Sequence, residues 1–151
     1  MKAIKWLSSA MVLAIHDEAV YFFGGLGGVR GQSLLERVID KPRNKLAYEP
    51  MSSLVALATV LGVGLARNRA FNNGNKRTAL LATRTFLFLN GRLLEPQEDD
   101  EVVTMIGIAT GDVTELQFAE WLEKNCADQS ATAKTRSCVI PAGKARKKPK
   151  R

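Results

Sequence analysis

Histidine is almost missing from this sequence: His16 is the only one. A metal centre of the HD type is therefore excluded, because His16 with its neighbour Asp17 supplies too few ligands. His16 reads instead as a structural histidine on the first helix. Cysteine is scarce as well. Cys126 and Cys138 lie near or inside the C-terminal stretch, where they cannot staple a core, and they lack the spacing of a zinc site. They read as two free thiols. Long apolar runs are absent: none approaches the ~20 residues that span a bilayer. The start of the chain passes quickly from Trp6-Leu7 to His16-Asp17-Glu18, without the uninterrupted apolar stretch of a secretory signal. The expectation is a cytoplasmic protein with no membrane contact.

Acidic charge is nearly missing from residues 127–151. Only Asp128 opposes Lys134, Arg136, Lys144, Arg146, Lys147, Lys148, Lys150 and Arg151, so this stretch alone accounts for the formal net charge of +7. The remainder is neutral, which argues against a nucleic-acid-binding domain. The tail itself could hold polyanions only weakly and in a salt-dependent way. Its mix of Ala, Ser, Thr, Lys and Pro with few large apolar residues predicts a solvated, disordered extension. The division expected is a folded domain over residues 1–126 and a basic tail over 127–151.

What is present is one domain's worth of chain, 151 residues of which 46% are hydrophobic, with mainly helical patterning. Ser8 or Ser9 can cap a helix that Gly24-Gly25 ends. Ser33 with Glu36 predicts a capping box for a short helix ending before Pro42. Leu54, Leu57, Ala58, Leu61 and Leu65 fall at helical spacing. Residues 75–90 are apolar on most sides and predict the buried central helix of a bundle. The acidic run Glu98-Asp99-Asp100-Glu101 suits a helix start, and Thr114 with Gln117 predicts a second capping box. Lys5 and its neighbours are expected to form a short strand. The fold class expected is all-α: a compact bundle of about six helices around a buried central one.

The informative stretch is Asn68-Arg69-Ala70-Phe71-Asn72-Asn73-Gly74-Asn75-Lys76-Arg77, between two of these helices. A helix start presents free N–H groups and partial positive charge. Lys76 and Arg77 in that first turn add like charge, a cost that a bound phosphate would remove. Gly74 permits close backbone approach, Asn73 and Asn75 offer polar contacts to metal or phosphate, and Phe71 reads as an apolar peg. A polar loop with a solvated Lys-Arg pair accounts for the composition equally well.

Phe71, Asn73, Asn75, Lys76 and Arg77 match in register the Fic/Doc signature, in which a His precedes the Phe by two places. His16-Asp17-Glu18, Gly24-Gly25-Leu26, Gly28-Val29-Arg30, Leu34-Leu35-Glu36, Ala47-Tyr48-Glu49, Ala66-Arg67-Asn68 and Ala109-Thr110-Gly111 also resemble Doc-type (death-on-curing) chains, so the likeness covers about residues 3–125. The resemblance implies the Fic/Doc bundle and the toxin of a toxin–antitoxin pair. It further implies transfer of phosphate from ATP to a hydroxyl of the translation factor elongation factor Tu, halting translation. The partner it implies is a Phd-like antitoxin whose disordered segment folds into a groove of the toxin. That groove is expected to be formed partly by the first helix and the 24–31 loop. Carried over by residue, Asn73 would help hold Mg²⁺, Gly74 and Asn75 would contact phosphate, Lys76 and Arg77 would neutralise its charge, and Phe71 would anchor the loop. One position departs. The family's general-base His falls at Arg69, and arginine stays protonated, so it cannot take the hydroxyl proton. An inactivated phosphotransferase is expected. The alternatives are AMP transfer, as in longer Fic enzymes, or a catalytically dead protein that keeps only its antitoxin interface.

Overall fold

The computed structural model describes residues 3–128. They form α1 (Ser9–Phe23), α2 (Gln32–Tyr48), α3 (Leu54–Asn68), α4 (Asn75–Leu89), β1 (Arg92–Leu94), α5 (Glu98–Thr110), α6 (Glu115–Asn125) and β2 (Cys126–Asp128). Local chemistry sets most of the starts. The Ser8 hydroxyl accepts from the Met11 N–H at 3.2 Å and caps α1. Ser53 accepts from the Ala56 N–H at 3.0 Å and caps α3. Thr114 and Gln117 form the expected reciprocal box ahead of α6. The acidic run occupies the first turn of α5.

The expected six-helix bundle is present, but the buried centre is α3. It packs against α2, α4, α5 and α6, and its buried residues run almost unbroken from Val55 to Ala66. Close approach depends on two glycines. A Cβ at Gly64 would stand 2.8 Å from Val38 on α2, and one at Gly62 would stand 2.6 Å from Thr83 on α4 and 2.8 Å from Phe118 on α6. By contrast α4 buries one face, through Thr78, Ala79, Ala82, Thr83, Phe86 and Leu87, while Phe88 is exposed. Apolar composition thus located a core helix but not the central one, because exposure of a helix depends on how many neighbours surround it.

Three local expectations are corrected. Helix α2 does not stop before Pro42 but carries it inside. Pro42 removes one backbone donor, yet Leu35, Val38 and Pro42 form one buried stripe, and that burial holds the helix together across the missing bond. Ser33 does not cap α2. Gly31 is the N-cap, with no side-chain bond, and Gln32 Nε2 donates to Glu36 at 3.0 Å. Lys5 is not in a strand. The Asn90 side chain takes a strand's place, accepting from the Lys5 N–H at 2.8 Å and donating to the Lys5 carbonyl at 3.0 Å.

The sheet that does form is the antiparallel β1–β2 pair, with Arg92 opposite Asp128 and Leu94 opposite Cys126. It carries ordered pairing two residues past the boundary placed at 126. Burial pushes the Cys126 thiol pKa up. Cys138 and the basic residues from Lys134 onward lie outside the described residues. Among the described residues, no helix is long and apolar enough to cross a membrane.

Candidate functional site

The α3–α4 junction begins with a residue in an uncommon conformation. Arg69, the C-cap of α3, has φ 53° and ψ 50°, the left-handed region, and is the sole non-glycine residue with positive φ among those described. Such a position costs a β-carbon-bearing residue roughly 1–2 kcal/mol. The turn it makes sends Ala70 and Phe71 back against the loop that follows α1. There the Arg30 and Gly31 N–H groups donate to the Ala70 carbonyl at 2.6 and 3.2 Å, Val29 and Phe71 form an antiparallel bridge, and the Asn72 N–H donates to the Gly28 carbonyl at 3.2 Å. Asn72 Nδ2 adds a bond to the Gly27 carbonyl at 3.2 Å. The 24–31 loop and the motif loop are thus one hydrogen-bonded unit.

Phe71 is buried, as a peg should be. Its ring stacks on His16, with centroids 3.8 Å apart and planes 10° from parallel. His16 is equally buried, and its Nε2 lies 2.8 Å from the Asn73 carbonyl. A carbonyl only accepts, so Nε2 carries the proton and donates. The structural reading of His16 therefore has a specific content: it fixes the motif loop from beneath, by stacking on one residue and bonding the backbone of another. The sequence signal was the His16-Asp17-Glu18 run, but nothing in it said which loop His16 would touch.

Asn75 and Asn73 are occupied differently from the roles implied for them. Asn75 Oδ1 accepts from the Phe71 N–H at 3.0 Å and its Nδ2 donates to the Phe71 carbonyl at 2.9 Å. Its side chain is a clasp on Phe71, which leaves its backbone N–H at the helix start as the group able to meet a ligand. Asn73 Oδ1 accepts from the Leu26 N–H at 2.6 Å, and its Nδ2 donates to the Asn72 carbonyl at 2.9 Å.

Gly74 is the N-cap of α4 at φ 77°, and no side chain caps the helix. The first turn contains no acidic residue, and Lys76 and Arg77 stand in it. A cleft of about 200 Å³ opens there. Gly74, Asn75, Lys76 and Arg77 line one side, and Ala19, Val20 and Phe23 of α1 line the other. The Arg77 guanidinium carbon lies 3.9 Å from the centre of the Phe23 ring, a cation–π contact that holds the charge at the rim. Phe23 was not singled out from sequence. No carboxylate lines the cleft, so its field is positive. Of the residues expected in the site, Gly74, Asn75, Lys76 and Arg77 come together there. Arg69 is exposed at the far end of the junction, and Phe71 and Asn73 act from within the loop.

The Fic/DOC family's sequence profile matches residues 6–87, a span that holds α1, the 24–31 loop, the whole junction and most of α4. The chain belongs to the Fic/Doc family. Within it, the likeness is to Doc. "Protein kinase doc" of Escherichia phage P1 is 30% identical over 122 residues, covering 80% of this chain and 95% of that protein. "Toxin Doc" of Mycolicibacterium smegmatis is 40% identical over 70 residues, covering 46% of this chain and 54% of that protein.

Proposed function

We propose that this protein is the toxin of a toxin–antitoxin pair, built for Doc-type transfer of phosphate from ATP to a hydroxyl of elongation factor Tu, and inactive because Arg69 holds the position of the base. The likeness to two Doc proteins supports the toxin role. The observation that carries the phosphotransfer reading is the start of α4: an uncapped helix end, two cations in its first turn and a cleft with no carboxylate. That combination costs stability in the empty protein and is relieved by a phosphate. The cleft's volume is below the ~300–1,000 Å³ of sites that enclose a drug-sized ligand. It suits the phosphate chain of ATP, with the nucleoside left outside.

In this reading Lys76, Arg77 and the free N–H groups at Asn75 and Lys76 bind and orient the transferred group and take up charge as it redistributes. The hydroxyl's proton has no acceptor, since a guanidinium at Arg69 is already fully protonated. Binding and turnover therefore separate. The partner proposed is an antitoxin segment docking beside α1 and the 24–31 loop, where Tyr21, Phe23 and Leu26 are exposed. A protein that retains only that interface is the second reading, favoured by Arg69 itself.

The test is expression of the unaltered chain, of Arg69→His, and of Arg69→His with Asn73→Asp, followed by growth measurement and mass spectrometry of elongation factor Tu. The expected result is no growth arrest from the unaltered chain, arrest from the histidine variants, and a phosphate adduct on the target. An AMP adduct would move the chemistry to the Fic type. Inactivity of all three well-folded chains would leave the binding protein.

A further inference from the structure

We infer that this chain's phosphate site takes a polyphosphate directly, without a divalent cation, a conclusion that rests on the phosphate reading of the α4 start. The Mg²⁺ implied by the family resemblance needs oxygen donors, usually with at least one carboxylate, at near-octahedral positions. Three features of this chain oppose it. Position 73, the motif's metal-holding position, is a neutral amide. Its two ends already face complementary partners, the Leu26 N–H on Oδ1 and the Asn72 carbonyl on Nδ2. Finally, the cleft lining contains Lys76 and Arg77 and no carboxylate, and no group of three or more His, Cys, Asp or Glu occurs among the described residues. Beyond the nucleotide's own phosphates and water, a dication would enter a positive field with one partly used amide oxygen of the protein to receive it.

A carboxylate at 73 would reverse this. One oxygen could keep the Leu26 N–H, but the other would face the Asn72 carbonyl, acceptor against acceptor, and a cation between them would resolve the clash. The amide nitrogen of Asn73 fills that place with a hydrogen bond. Charge neutralisation of the phosphate chain then falls to Lys76, Arg77 and the helix start alone. Complexation by Mg²⁺ cancels about two of a nucleotide's negative charges, so the free anion is the better ligand for such a site.

The experiment is calorimetric titration of the full chain with ATP, and with inorganic tripolyphosphate, in EDTA and in excess Mg²⁺. Lys76→Ala serves as the site control. The expected result is binding of both ligands in EDTA, weakening by about tenfold when Mg²⁺ is added and lost in Lys76→Ala. The Asn73→Asp variant, checked for native fold by circular dichroism, is expected to show Mg²⁺-strengthened binding. ATP binding to the unaltered chain that strengthens about tenfold or more with Mg²⁺ overturns the inference and leaves the phosphate site standing. Absence of binding in both media overturns the phosphate reading itself, and the inference with it.

Discussion

Two junctions in this bundle do the same mechanical task with opposite chemistry. Between α5 and α6 the chain leaves one helix through Gly111 at φ 93°, where a glycine takes the left-handed turn without steric cost. The Gly111 N–H donates to the Gly107 carbonyl at 3.0 Å, Thr114 and Gln117 close a capping box, and Glu115 complements the new helix start. Between α3 and α4 the left-handed turn falls on Arg69, the helix start has no side-chain cap, and the first-turn charges are of the wrong sign. Local rules are obeyed where only the fold is at stake and broken where a ligand is expected. The breaches share one direction, since each adds positive charge or exposes N–H groups.

The contrast is sharpest in activity. Arg69→His should raise phosphate transfer by ~10²–10⁴-fold, the usual worth of a positioned general base, read as adduct formation on elongation factor Tu. No substitution between Thr110 and Thr114 should change transfer at equal folded fraction. If one did so comparably, the division of roles between the junctions would be lost.

Next in size is the support beneath the motif loop. His16→Ala removes the ring stacked on Phe71 and the donor to Asn73, and should cost about 2–4 kcal/mol in denaturant unfolding. His16→Gln, which keeps a donor, should recover part of that loss. An effect of His16→Ala within experimental error would mean that the motif loop stands without its clasp.

Lys76→Glu separates stability from binding in a single residue. Reversing the charge at the α4 start should raise unfolding free energy by about 0.3–1 kcal/mol while abolishing ATP or tripolyphosphate binding. At the other junction the same logic has the opposite sign: Glu115→Lys should destabilise α6 by a similar amount. Loss of stability in Lys76→Glu would remove the like-charge conflict that motivates the site.

The smallest effects test the turns and caps themselves. Thr114→Ala should cost about 1 kcal/mol. Gly111→Ala should cost about 1 kcal/mol, because it places a β-carbon in the left-handed region. Arg69→Gly should instead gain about 0.5–1 kcal/mol, the relief of strain offset by a more flexible unfolded chain. Equal signs for the two glycine swaps would contradict the backbone assignment at Arg69.

Local signals carried the helix count, the caps at Ser8 and Thr114 and the acidic start of α5, because capping depends on atoms three residues apart. They also marked residues 69–77 as the candidate site, since a Lys-Arg pair at a helix start is a conflict visible in the chain alone. They failed where a distant partner decided. Ser33 and Glu36 had the spacing of a capping box, but the turn at Gly31 is tied to Ala70 and the helix begins two residues too early to use it. Pro42 is a strong local stop, overruled by the stripe it completes with Leu35 and Val38.

The sequence by itself determined the six helices of the described residues and the Fic/Doc pattern, with a positively charged helix start and Arg at position 69. Those properties follow from residue type and short-range spacing. Only the tertiary structure decided that α3 is the centre, that His16 and Phe71 stack beneath the loop, that Phe23 carries Arg77, and that Asn73 and Asn75 spend their amides on Leu26, Asn72 and Phe71. Packing and long-range hydrogen bonds join residues tens of positions apart, and spacing along the chain contains no term for which of them will meet.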